Sequence, residues 1–285
     1  MKRIKLSANW DTSVNLVNRL IKQFKTPEID LSDIVFVDDD SYDIIVFFNY
    51  INTTIKDNTK AFIFPVEPTW TGTHQKNIPN NVTIFGFKKE LYNRNCIESV
   101  AHTFYGGRGD WVDSLDFWNF ENLNKTNFKK TKGISSSITN LFENNGSTCL
   151  YPQRFKILNE IKKLNFIDVY DGSISSYRSD SLIDYKFNIV IENEFMDNWI
   201  TEKFYDAVLT KTIPIYFGCK NIKNIYPEDG YILINDINNV EEIINQFNYI
   251  NDNLDVIYNS KLVELEKIKI KYFERYNLLK NIIEL

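Results

Sequence analysis

Glycine, proline, cysteine and histidine are all scarce in this chain of 285 residues. Ten Gly and seven Pro exclude a collagenous or low-complexity chain. Three cysteines, Cys96, Cys149 and Cys219, lack metal-ligand spacing and are odd in number. They argue for free buried thiols in a reducing compartment, expected to be the cytoplasm. No run approaches the roughly 20 apolar residues of a membrane span. The basic start MKRIKLSANW lacks the apolar segment of a secretory signal. Positive charge is not in excess either: 33 Lys and Arg against 38 Asp and Glu give a net charge of −5. Nucleic acid is therefore not an expected partner, although one local basic pocket for a phosphate stays open.

What is present suits a packed core. A hydrophobic fraction of 43% and an aromatic fraction of 15% suffice for one large domain or two of ordinary size. Asparagine is abundant, but it is interleaved with apolar periodicity, so it reads as compositional bias. In the first half, strands are expected at 3–6, 33–37, 42–48, 61–64 and 81–85. A helix is expected at 12–24, capped by Asp11 or Thr12. Residues 94–120 are aromatic and irregular, and the polar stretch 122–132 reads as a linker. The second half repeats the alternation, with strands at 133–138, 166–170, 187–191, 212–217 and 231–234. A helix at 153–164 is expected to bury Phe155, Leu158, Ile161 and Leu164, and the chain closes in helices at 240–247 and 254–283.

The densest chemistry lies in 185–218, YKFNIVIENEFMDNWITEKFYDAVLTKTIPIYFG. Glu192 and Asn193 follow the apolar run 187–191, and Asn198 or Thr201 can cap a helix carrying Glu202 and Lys203 in its first turn. In an open parallel sheet, ligands bind outside the carboxyl ends of the strands. Two carboxylates, an amide and an ammonium there suit a nucleotide-sugar, which needs acceptors for ribose hydroxyls and a cation for the diphosphate. The helix N-terminus adds N–H donors and a partial positive charge. Lys203 opposes the helix dipole, so its placement suggests another purpose.

The order E-N, then W-I-T-E-K, then I-P-I-Y-x-G resembles the donor-binding signature of the α-1,3/4-fucosyltransferases, glycosyltransferase family 10. The resemblance implies an α/β fold of the GT-B architecture, two Rossmann-like βα domains facing across a cleft. Residues 1–124 would bind the acceptor and 125–285 the GDP-sugar, with the terminal helix crossing back to the first domain. It also implies an inverting transfer of L-fucose from GDP-fucose to a glycan hydroxyl. By the resemblance, Lys203 holds phosphate, Glu202 holds ribose, and Glu192 and Asn193 shape the pocket. Trp199 stands where the family usually has tyrosine, bringing an N–H in place of a hydroxyl, and it either stacks on the ligand or closes the turn. The family carries an arginine near the place of Arg154, suited to a bidentate grip on a diphosphate. Ser137 and Asn140 would line the phosphate loop. The family's general base is a glutamate in the region of Glu67, whose flanking prolines stiffen its loop.

Competing readings remain. His74 or His102 could act as a base. Asp38-Asp39-Asp40 is similar to the metal-binding Asp pair of the GT-A class, though an Asp-rich turn accounts for it as well. The Gly106-Gly107-Arg108-Gly109 turn lacks the spacing of a phosphate loop. The helical tail could touch a membrane surface, but its mixed charge favours a solvated face. No cofactor is required by the scheme, although Mn²⁺ or Mg²⁺ could stimulate it. Another nucleotide-sugar donor on the same fold, or a non-catalytic glycan- or nucleotide-binding module, are the alternatives.

Overall fold

The computed structural model describes residues 1–69, 78–92, 95–104, 118–140, 146–172 and 178–285. His74 and the turn at 106–110 lie outside the described residues. The chain divides into two units. One comprises Met1–Phe104, the described residues up to Asn124, and Phe273–Leu285; the other spans Lys125–Tyr272.

In the first unit, β1 (Lys2–Ser7), β2 (Ile34–Phe36), β3 (Ile44–Phe48), β4 (Lys60–Phe64), β5 (Val82–Gly86) and β6 (Cys96–Glu98) form one parallel sheet. Their order is β2-β1-β3-β4-β5-β6. All five residues of β3 are buried, as a strand covered on both faces requires. Helix α1 (Ser13–Phe24) is capped by Thr12, which accepts the Asn15 N–H, and it buries Leu16, Leu20 and Phe24. A short helix α2 (Phe120–Lys125) lies at the boundary between the two units in the chain. The third strand returns to the far side of β1, so the strand order reverses between β1 and β3. Such a reversal opens a crevice at the carboxyl ends.

Near the ends of β4 and β5, side chains are shut off from water. His102 is 3% exposed, edge-on to Phe64 with centroids 5.0 Å apart, and its Nε2 meets the Ser99 hydroxyl at 2.8 Å. Burial pulls its pKa down to about 4, so the ring is neutral at pH 7. The stability this confers is complete above pH 6.5 and is lost as pH falls towards about 4. At about 1.4 kcal/mol per pH unit, the loss is about 3 kcal/mol. Urea midpoints at pH 7 and pH 4.5 should diverge more in the native protein than in His102→Gln; equal divergence would refute this. Asp39 accepts the Ser41 N–H and Asp40 pairs with Lys5 at 3.2 Å, so 38–41 is an Asx-type turn. Among the described residues, no group of three His, Cys, Asp or Glu side chains is placed to hold a metal.

In the second unit, β7 (Lys132–Ser136), β8 (Ile167–Val169), β9 (Tyr185–Met196), β10 (Ile213–Cys219) and β11 (Ile232–Leu233) form another parallel sheet, ordered β11-β10-β9-β7-β8. Read from its first strand, this is the 2-1-3-4-5 doubly wound order, whose reversal lies between β7 and β9. Helix α3 (Tyr151–Ile161) follows β7 and α4 (Glu202–Leu209) follows β9. The remaining helices are α5 (Ile222–Ile225), α6 (Val240–Asp252) and α7 (Leu254–Lys271). Upstream of β7, the Lys130 ammonium donates to the Leu182 and Ile183 carbonyls and the Thr212 hydroxyl, tying three segments together at 2.8–2.9 Å.

Three expectations are corrected. Strand β9 runs past the apolar stretch 187–191 to Met196, because Cys149 forms an antiparallel bridge to Glu194 and Leu150 N–H bonds the Asn193 carbonyl at 3.0 Å. Helix α3 buries Arg154, Ile157, Leu158 and Ile161, a face rotated from the expected one, and stops before Leu164. The expected helix 254–283 is broken by a π-turn at Tyr272–Tyr276 and restarts as α8 (Leu278–Ile283). Asn277 does this with an extended backbone: Oδ1 caps Lys280 N–H, and Nδ2 donates to the Phe24 carbonyl at 2.8 Å. No helix among the described residues is long and apolar enough to cross a membrane.

Candidate functional site

The site grows from the turn between β9 and α4. Asn198 takes φ 61°, the left-handed conformation that asparagine tolerates. Its N–H donates to Asn221 Oδ1 at 2.8 Å, and its own Oδ1 accepts from Asn221 Nδ2 at 3.0 Å. The helix cap is Thr201, not Asn198. Glu192, fully buried in β9, accepts the Thr201 N–H at 2.9 Å and the Thr201 hydroxyl at 2.7 Å. That hydroxyl in turn accepts from the Lys203 N–H at 3.3 Å and from the Lys203 ammonium at 3.2 Å. One carboxylate thus sets the helix start, and the cap sets the ammonium.

Lys203 Nζ lies 2.8 Å from Glu202 and 3.8 Å from Glu192. Burial alone would lower the Lys203 pKa, but the two carboxylates more than offset it and the net shift is upward. Burial raises the Glu192 pKa. For Glu202 burial works the same way, yet Lys203 turns the net shift downward. The cluster is therefore charged at neutral pH at least on Lys203 and Glu202.

Gly218 makes room for it. A Cβ at this position would overlap Glu192 Cβ and Cγ. Gly218→Ala should push the carboxylate off Thr201 and cost about 1–3 kcal/mol by overpacking. A thermal melt matching that of the native protein would contradict this account.

Arg154 arrives from the other side of the reversal. It is 3% exposed on the first turn of α3, its guanidinium 4.9 Å from the Tyr151 ring, and its Nε is buried without a hydrogen-bond partner. Burial lowers its pKa, with Glu192 and Glu202 among the groups opposing that. It remains a cation at neutral pH. Arg154, Lys203, Ser137 and Ile138 line one recess at the carboxyl ends of β7 and β9. Ser137 stands just past β7, with its hydroxyl 3.4 Å from Asn188 Oδ1. The recess also contains Arg178, which the motif pattern passed over because it lies well upstream of the helix start.

Not every expected residue meets there. Asn140 is exposed, and its N–H bonds the Asp171 carbonyl at 2.9 Å. Trp199 is 1% exposed; its indole N–H donates to Asn193 Oδ1 at 3.0 Å, and its carbonyl accepts the Tyr216 hydroxyl at 3.2 Å. The turn-closing role fits this better than a ligand-stacking one. Glu67 belongs to the first unit, just past β4. There Asn49, at φ 63° and 2% exposed, accepts the Val66 and Glu67 N–H groups at 2.7 and 3.1 Å, which fixes the backbone under the carboxylate.

A switch-point recess lined by Arg154, Arg178 and Lys203 beside a capped helix N-terminus favours an anion. The family model for the C-terminal part of glycosyltransferase family 10 (fucosyltransferase) matches residues 127–270. The α-(1,3)-fucosyltransferase B of Drosophila melanogaster is 40% identical over 80 residues, 28% of this chain and 18% of that protein. The α-(1,3)-fucosyltransferase FucT of Helicobacter pylori is 31% identical over 93 residues, 31% of this chain and 20% of that protein. The match thus spans about a fifth of the length of these curated relatives. A crystal structure of an α1,3-fucosyltransferase superposes with a TM-score of 0.56 at 16% identity, covering 95% of this chain and 88% of that one. Another, with GDP-fucose, gives a TM-score of 0.53 at 15% identity, covering 95% and 89%. The fold is accordingly that of GT-B enzymes, two Rossmann-like α/β units. Over half of its length the chain matches the family's C-terminal part, and it belongs to glycosyltransferase family 10.

Proposed function

We propose that the protein is an inverting α-1,3-fucosyltransferase that moves L-fucose from GDP-fucose to a hydroxyl of a glycan. The observation that carries the reading is the convergence of Arg154, Lys203 and the α4 N-terminus on one recess at the sheet's reversal. The proposed division of labour is as follows. Arg154 and Lys203 hold the diphosphate, Glu202 holds the ribose, and Ser137 lines the phosphate loop. Glu192 acts through Thr201 and the helix start. The Glu67 carboxylate takes the proton of the acceptor hydroxyl. The oxygen forms its bond to the anomeric carbon from the face opposite GDP. The bond from that carbon to the β-phosphate oxygen breaks, and GDP leaves with the electron pair. Positive side chains offset the charge that develops on the leaving group, so stimulation by Mn²⁺ or Mg²⁺ is compatible with the scheme. Three buried free thiols, Cys96, Cys149 and Cys219, support a cytoplasmic setting.

The test is mass spectrometry of a glycan array after incubation with GDP-fucose, with GDP release measured in parallel. A mass gain of one deoxyhexose is expected. Transfer from a different sugar nucleotide alone would move the assignment to that donor. No transfer from any sugar nucleotide would leave a binding module.

A further inference from the structure

Arg178 is the third cation of the recess that holds Arg154 and Lys203. It opens a short 3-10 turn, Arg178–Ser181, ahead of β9. Its guanidinium is forked across α4. Nη2 donates to the Lys203 carbonyl at 3.1 Å, and Nε pairs with the Asp206 carboxylate at 3.5 Å. Lys203 is the second residue of α4 and Asp206 the fifth, so the fork spans one helical turn. The pair is shielded, with the Arg178 side chain 13% exposed and Asp206 not at all. A planar guanidinium can satisfy both acceptors at once; a lysine ammonium, a point charge on a flexible stem, is poorly shaped to do so.

Three basic and three acidic side chains meet in the cluster. Arg154, Arg178 and Lys203 face Glu192, Glu202 and Asp206. Arg154 and Arg178 nonetheless repel, for Arg178 adds to the burial that lowers the Arg154 pKa. Holding two like charges in one recess has a use if an anion comes between them. Burial of the Arg154 Nε without a partner points the same way.

We infer that Arg178 is a positioning residue for the donor's diphosphate: by gripping α4 through the Lys203 carbonyl and Asp206, it sets where the Lys203 ammonium meets the phosphates. This rests on the donor reading given above. It assigns the residue a task that neither Lys203 nor Arg154 performs, because both of those act through their own charged ends.

The test compares the native protein with Arg178→Lys, Arg178→Met and Asp206→Asn. GDP affinity is read by calorimetric titration, guanosine affinity by NMR titration, and KM for GDP-fucose and for the acceptor by steady-state assay. Arg178→Lys should weaken GDP about 10-fold and raise the donor KM by the same factor, as loss of a charge-assisted hydrogen bond does. Guanosine affinity and the acceptor KM should stay where they were. Arg178→Met should lose more, and Asp206→Asn should share the pattern. Should Arg178→Met not fold, Arg178→Lys decides. GDP binding as tight in Arg178→Lys as in the native protein overturns the inference and leaves the donor reading intact. An equal loss for GDP, guanosine and acceptor, together with a lower melting temperature, overturns it as well, since the role is then structural. If the native protein itself binds no GDP, the donor reading and this inference fall together.

Discussion

Lys203→Ala is expected to lower kcat/KM for GDP-fucose by about 10²–10³-fold, the range seen when one preorganised group that stabilises developing charge is removed. The ammonium is the one side chain in the cluster that touches two carboxylates and the helix cap together. Its removal also leaves Glu192 and Glu202 in a protein interior without their counter-charge, which is costly in itself. Two effects are thus folded into the alanine variant. Lys203→Arg separates them, because it restores positive charge to the carboxylates while displacing the donor atoms. Its melting temperature should return close to that of the native protein, and its kcat/KM should recover only in part. Steady-state rates within threefold of native in the alanine variant would remove Lys203 from the phosphate site.

Glu67→Gln should reduce turnover by about 10²–10⁴-fold, the contribution of a positioned general base. GDP affinity should not change, since Glu67 belongs to the first unit and the recess to the second. Glutamine keeps the shape of the side chain, and the Asn49 bonds that fix this loop come from backbone N–H groups that the substitution leaves alone. A measured loss is therefore chemical and not a collapse of the loop. Full turnover in Glu67→Gln would assign proton removal to another group. His102 is a poor candidate on physical grounds: it is buried among Phe64 and Phe85, where burial disfavours its charged form.

The two sheets were legible because parallel strands covered on both faces must be written in short, uninterrupted apolar runs, and 44–48, 187–191 and 213–217 are such runs. Strand β6 was not, since Cys96–Glu98 is an edge strand with two exposed residues and carries no such run. The family resemblance was legible because the order E-N, W-I-T-E-K and I-P-I-Y-x-G is written without gaps in 192–218. What the pattern could not give was the length of β9. Its extension depends on an antiparallel bridge to Cys149, a partner far away in sequence. Periodicity also misjudged α3, since a purely hydrophobic count cannot anticipate that Arg154 faces inwards. Arg178 went unnoticed for a related reason. Its partners are a backbone carbonyl and a carboxylate buried in a helix, and neither leaves a mark in the spacing of residues.

The bond from Asn277 to the Phe24 carbonyl imposes an order on the making of the molecule. During synthesis the sheet led by β1 emerges before the helix that completes it, and every residue from Lys125 to Tyr272 comes between them. That second half, uninterrupted from Lys125 to Tyr272, can close while its neighbour is still waiting. Nascent chains arrested before residue 273 should thus display a protease-resistant C-terminal part beside an N-terminal part that is still cut.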